Sequence, residues 1–405
     1  MSRPAGTEPR IAIIGGGIGG LAAAAFLHRA GLRAVVYEQA AELREIGAGL
    51  VIAPNAARLL RRLGVLGAIA RQGVRLETGW EFRRWADGTV LSAENLAVTC
   101  EQLYGEHTYT AHRADLHDAI RLAVPASAVR LGKRCTSIST DGARPVLGFS
   151  DGEETEADVV IGADGVHSVI RGAITTPSPA TYSGLCAFRA LVPAHDAPEF
   201  ARRPAQTLWI GPGHHLVHYP VSAGRYVNLV AFAPAGDYRT ESWTATATID
   251  EFRTEFAGWD KRLTGLIEAA GTVGRWALVD RAPLDRWSQG AVTLLGDAAH
   301  PMFPFFAQGA AQAIEDAAVL ARCLATCLAG AAGCGDGLTA ALHRYETLRL
   351  PRTTRLQEVS HARAHINHLP DGPEQRSRDA AFAATDALAA NGWIYRYDPE
   401  AEVAG

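Results

Sequence analysis

Two kinds of apolar pattern divide this chain. Ile11-Ala12-Ile13-Ile14, Ala34-Val35-Val36-Tyr37, Val159-Val160-Ile161 and Ala291-Val292-Thr293-Leu294-Leu295 are short continuous apolar runs, as expected of strands buried on both faces. Stretches that read as helices follow them: Leu21 to Arg29, one opened by Pro54-Asn55-Ala56, one beginning at Arg113, the long apolar Gln312 to Leu328, and one near Leu338 to Arg349, ahead of Pro351. Between Arg171 and Gly296 the character changes, and Ala187 to Val192, Thr207 to Pro220 and Val227 to Phe232 read as strands of a separate sheet. The order predicts an α/β fold, Rossmann-like, with an inserted β-sheet domain and C-terminal helices.

Composition narrows the partners. A chain of 405 residues with 48% hydrophobic and 20% charged content suits a globular protein with a sizeable core. A formal net charge of -4 supplies no broad basic field, so neither nucleic acid nor an anionic membrane surface is expected as a partner. The expected partner is a small molecule, bound by a monomer or homodimer. The six cysteines include no C-x-x-C pair, which argues against a zinc ribbon or dithiol centre, and Cys323 and Cys327 share a helix face as core. No metal site is predicted. A short polar N-terminus and no apolar span of transmembrane length make the cytoplasm the expected compartment.

The first strand runs straight into Gly15-Gly16-Gly17-Ile18-Gly19-Gly20 and then a helix. Gly15, Gly17 and Gly20 fill the three positions of G-x-G-x-x-G: a tight turn, close backbone approach to a pyrophosphate, and close packing of helix on strand. The phosphates would sit at the helix N-terminus. The second strand ends in Glu38, about 20 residues beyond the fingerprint, where an acid accepts ribose hydroxyls and disfavours a 2′-phosphate. This site therefore suits FAD or NAD, and the fingerprint alone does not choose between them.

Further segments carry the choice. They are Leu43 to Leu50, followed by Pro54; His112-Arg113-Ala114-Asp115-Leu116; Gly162-Ala163-Asp164-Gly165-Val166-His167-Ser168-Val169-Ile170-Arg171; and Gly296-Asp297-Ala298-Ala299-His300-Pro301. Together they resemble the single-component flavoprotein aromatic hydroxylases, the salicylate, 3-hydroxybenzoate and 6-hydroxynicotinate hydroxylase group, over most of the chain. The resemblance implies tightly bound FAD, with Asp164 and Arg171 in a motif serving flavin pyrophosphate and NAD(P)H, Arg113 reaching the flavin, and Asp297 on the ribityl chain. It also implies that the loop at Pro304 lies near the reactive flavin carbon, and that backbone N–H groups at Gly309 and Ala310 face the pyrimidine edge. Asp164 or Ser168 could equally cap the next turn, and His300 is read as positioning its loop. The expected FAD-binding domain is discontinuous, 1–75, 100–175 and 280–345. The substrate sheet takes 76–99 and 176–279, and a helical segment takes 346–405.

On the substrate side, Gly211-Pro212-Gly213-His214-His215-Leu216-Val217-His218-Tyr219-Pro220 is a turn entering a strand. Period two puts His215, Val217 and Tyr219 on one face and His214, Leu216 and His218 on the other. Spacing does not say which face meets the substrate. The resemblance does, because a His-x-x-x-Tyr-Pro arrangement in the hydroxybenzoate and hydroxynicotinate relatives matches His215 and Tyr219. His215 is then the expected base toward a substrate phenol. His361, His365 and His368 lie near one helical face and read as solvated, without a metal motif.

The implied cycle is reduction of FAD by NADH or NADPH, reaction with O2 to a flavin C4a-hydroperoxide, and transfer of one oxygen atom to a phenolic acid, with or without decarboxylation. Epoxidation of a larger substrate, flavin binding without turnover, and NAD-dependent dehydrogenation are the competing readings. The absence of a W-x-W-x-I-P stretch counts against halogenation.

Overall fold

The computed structural model describes residues 9–43, 48–176, 181–241, 245–329 and 337–404. Residues 44–47 of the segment after Glu38, and most of the glycine-rich stretch after Leu328, lie outside them. The continuous apolar runs build one six-stranded sheet. Its order is Ser288–Gln289, Val292–Leu294, Val159–Gly162, Ile11–Ile14, Ala34–Tyr37 and Val129–Arg130. All neighbours are parallel except the first pair. Register decides what this sheet presents. Ile14 lies beside Gly162, and Gly162 beside Leu294. The three exits, at Gly15, Asp164 and Gly296, therefore open on one carboxyl edge, where parallel sheets gather ligands.

Helices Ile18–Arg29 and Gly309–Leu328 pack together on this sheet. Their approach is close because small residues line it: a Cβ added at Gly19 would stand 2.7 Å from Leu295 and 3.2 Å from Ala313. The helix after Leu338 runs on to Asn367 with Pro351 inside it. Proline was expected to end it. Tertiary pairing outweighs that local cost, because Arg349 and Arg352 flank the proline and are bound to Glu315 across the helix pair.

The second layer is an eight-stranded sheet. Its order is Thr246–Ala247, Val273–Asp280, Thr181–Pro193, Tyr226–Pro234, His214–Val221, Ala205–Gly211, Thr78–Arg84 and Val90–Asn95. One face packs on helices Ile249–Glu255 and Lys261–Glu268 through Phe188, Leu229, Phe252 and Leu266. The other face turns toward Phe303, Phe305, Phe306 and the helix Leu338–Asn367. A short antiparallel sheet links the layers. In it Gly49 pairs with His112, and Arg113 donates its backbone N–H to Ala48 O at 2.9 Å.

Candidate active site

The glycine turn has the shape its sequence demands. Gly15 has φ +107°, and a Cβ there would lie 2.4 Å from Ala163 O; one at Gly20 would lie 1.9 Å from Gly15 O. Gly17 differs, since a Cβ there meets nothing within 4 Å. Its side of the turn is open to a ligand at the N-terminus of a 12-residue helix with no side-chain cap. Glu38 closes the turn from below: its carboxylate accepts from Gly16 N at 2.7 Å and Ala40 N at 2.8 Å.

Asp164 accepts from Ser168 Oγ at 2.6 Å and Val169 N at 2.7 Å, so it caps the turn that follows it. Arg171, buried, donates to Ala298 O, Asp297 O and Val166 O at 2.7, 2.9 and 3.0 Å. Burial pulls its pKa down to about 10, which leaves it charged at neutral pH. Asp164 thus shapes its own turn, and Arg171 braces that turn against the one at Asp297. Asp297 alone is exposed between buried Gly296 and Ala298, and among the described residues no hydrogen bond engages its carboxylate. That arrangement leaves oxygens for the hydroxyls of a polyol chain.

What holds this loop was not read from the sequence. Asp316 Oδ2 accepts from Gly296 N at 3.0 Å and meets His300 Nε2 at 2.6 Å, while Arg349 Nε donates to Oδ1 at 2.7 Å. Arg349 also donates to Glu315 at 2.6 Å, and Asn55 links Glu315 to Gln308. Burial works to raise both carboxyls, yet Arg352 and Arg349 hold Glu315, and His300 and Arg349 hold Asp316, below the usual range. His300 therefore positions the loop, as its sequence suggested. Next along, exposed Pro304 stands between buried Phe303 and Phe305, and Ala307 adopts φ 52°. Gly309 and Ala310 then start a 20-residue helix whose N-cap residue makes no side-chain cap.

The inner face of the eight-stranded sheet stands opposite. His215 is 2% exposed, stacks on Phe232 at 4.6 Å and meets the edge of Phe305 at 5.1 Å. Tyr219 is buried against Gly49, where a Cβ would lie 2.6 Å from its ring, and burial pushes its phenol above the usual range. His214 and His218 belong to the other face: the first meets Glu255 at 3.0 Å, and the second accepts from Trp209 Nε1 at 3.2 Å. Burial lowers His218 to about 3. Contacts thus separate faces that period two left equivalent.

Two groups on this face escaped sequence reading. Arg189 shares its face of the strand with Ala187 and Leu191, and its guanidinium lies 4.5 Å from the Trp276 ring centre. Burial lowers its pKa to about 10, so it remains a cation at neutral pH. His368 caps the helix Leu338–Asn367 and bonds through Nε2 to His215 Nδ1 at 2.6 Å. The expectation that His368 is solvated fails, because the helix does not stop at Pro351 and carries it to the sheet.

The family profile described as "FAD binding domain" matches residues 8–360. The chain is 42% identical to a 3-amino-4-hydroxybenzoate 2-monooxygenase of Streptomyces platensis, over 98% of each chain. The chain belongs to the FAD-dependent aromatic monooxygenases. It is also 37% identical to a 6-hydroxynicotinate 3-monooxygenase of Bordetella bronchiseptica, over 90% of this chain and 94% of that one. A salicylate hydroxylase substrate complex superposes with a TM-score of 0.81 at 26% identity, covering 98% and 97%. The α/β fold expected from the apolar runs is the one this monooxygenase has. The residues present fit FAD: Gly17 leaves its side of the turn open, the Asp297 carboxylate is exposed, and the helix at Gly309 has no side-chain cap. Among the described residues no group of acidic, cysteine and histidine side chains could hold a metal ion, and no helix is long and apolar enough to cross a membrane.

Proposed function

We propose that this monooxygenase hydroxylates the ring of a phenolic aromatic acid of the aminohydroxybenzoate kind, consuming NADH or NADPH and O2. One observation carries the reading. A half-buried cation, Arg189, and a buried imidazole, His215, share the largely apolar sheet face that meets Phe303, Phe305 and Ala307. A ring with a carboxylate at one end and a phenol toward the other matches that pairing. The name of the Streptomyces relative supports the same class.

In this reading Gly15, Gly17, Gly20 and Glu38 hold the adenosine diphosphate half of FAD, and Arg113, Asp297, Gly309 and Ala310 its flavin half. Asp164 and Arg171 keep the two turns in register. Bound FAD supplies acceptance of a hydride from the nicotinamide and delivery of one oxygen atom from O2. The protein does the rest. Arg189 fixes the carboxylate, His215 Nε2 takes the phenol proton, and the ionised ring becomes electron-rich at its ortho and para carbons. Phe232 and Phe305 keep water out, Tyr219 positions the ring, and Pro304 presents the loop facing it. Residues 76–99 and 176–279 act as the substrate domain, covered by the helical segment 346–405.

Purified protein is screened with aminohydroxybenzoates, hydroxybenzoates and hydroxypyridine carboxylates for stimulated NAD(P)H oxidation, and products are analysed under labelled O2. A phenolic acid that both stimulates oxidation and gains label is expected. Label in no phenolic acid would overturn the reading.

A further inference from the structure

The base proposed above has an energetic difficulty. A buried imidazole that takes a proton becomes a buried cation, and the groups acting on the His215–His368 pair are Arg363 and His365 on the helix and His214 on the hairpin. Each opposes positive charge, and the nearby Glu255 carboxylate is engaged by His214. Burial first, and these charges after it, hold His215 well below the ordinary histidine range. A proton arriving there needs an exit.

The geometry supplies one. His215 Nδ1 and His368 Nε2 are 2.6 Å apart, with ring centres at 4.8 Å. Main chain holds the partner in place as well: Gly213 N donates to His368 O at 3.0 Å, in the turn that precedes His215. The two rings differ in depth, since His215 is buried whereas His368 is partly exposed. Among the described residues His215 bonds through Nδ1, and its Nε2 makes no hydrogen bond.

We propose that His368 is a positioning residue that sets the tautomer of His215 and relays the phenol proton to solvent. This rests on His215 being the base. Before reaction His215 carries its proton on Nδ1 and donates it to His368 Nε2, whose own proton is on Nδ1. The phenol O–H bond breaks as an N–H bond forms on His215 Nε2. The Nδ1–H bond of His215 breaks as one forms on His368 Nε2, and the proton on His368 Nδ1 passes to water. Both rings end neutral, one proton has left the protein, and His215 Nε2–H now donates to the phenolate. His368 keeps no charge, since burial holds its pKa near 4.

The test uses FAD-loaded enzyme, NAD(P)H and the acid selected by the screen, at a pH below the free phenol pKa. In the unaltered enzyme, stopped-flow mixing with a pH indicator should detect one proton released per phenol bound, in step with the phenolate absorbance band. No proton release would overturn the relay without recourse to any variant. His368→Gln should keep its flavin and bind substrate within about threefold, yet lose about 100-fold in kcat, with activity recovering as pH rises toward the free phenol pKa. His368→Asn is the alternative if that variant misfolds. A wild-type pH profile in His368→Gln, alongside lost phenolate formation in His215→Ala, would sink the relay and leave the base intact. Phenolate formation in His215→Ala would sink both.

Discussion

Arg189 and His215 are polar residues on a largely apolar sheet face, and each has a measurable consequence at that scale. Replacing Arg189 by Met should raise KM for the acid roughly 100-fold, about 3 kcal/mol, because a buried carboxylate would lose its counter-charge. The corresponding amide should lose far less, and equal losses for acid and amide would remove Arg189 from the carboxylate. His215→Ala should bind FAD normally but oxidise NAD(P)H without hydroxylating, measured as product formed per nicotinamide consumed. Gly20→Ala would put a methyl group 1.9 Å from Gly15 O; we expect colourless protein, read from the flavin absorbance of the purified chain. These positions were unequally legible. Gly20 was legible because the turn is local, and the meaning of the Arg189 charge emerged only when its strand acquired neighbours.

Among elements, the helix pair Gly309–Leu328 and Leu338–Asn367 holds the cofactor loop through buried charges. Arg349→Met should cost about 3–5 kcal/mol in denaturant unfolding, because Glu315 and Asp316 would stay buried without their shared cation. Loss of FAD affinity should accompany it, since Asp316 also fixes Gly296 and His300. A stability change below 1 kcal/mol would mean that the cluster is not the brace described. Local pattern could start this second helix but not continue it through Pro351. The ion pairs that carry it past the proline join residues more than 30 positions apart.

Across the whole molecule, the eight-stranded sheet, the Phe306–Gln308 loop and the C-terminal helices meet at Glu94. It is 2% exposed, accepts from Asn391 at 3.0 Å, and lies near Trp80, Phe306 and Gln308. Burial raises its pKa to about 7 from 4.5. A raised carboxyl contributes stability fully below about pH 4.5 and loses it as pH rises toward 7, a change of about 3 kcal/mol. Glu94→Gln should therefore stabilise the protein at pH 8 relative to its parent and be neutral near pH 4.5, as followed by thermal unfolding at both values. Equal effects at the two would show that Glu94 does not titrate in this window. By itself the sequence determined the parallel sheet and the glycine turn, because each rests on apolar runs and backbone turns set by neighbours along the chain, while the choice of FAD over NAD rested on the resemblance carried by Asp164 to Arg171 and Gly296 to Pro301. Which face of the His214–Val221 strand packs on Phe305, which spacing left open, and that His368 stands behind His215, the tertiary structure decided. Those choices depend on sheet order and on a helix end 153 residues away, and a period of two treats both faces of a strand alike.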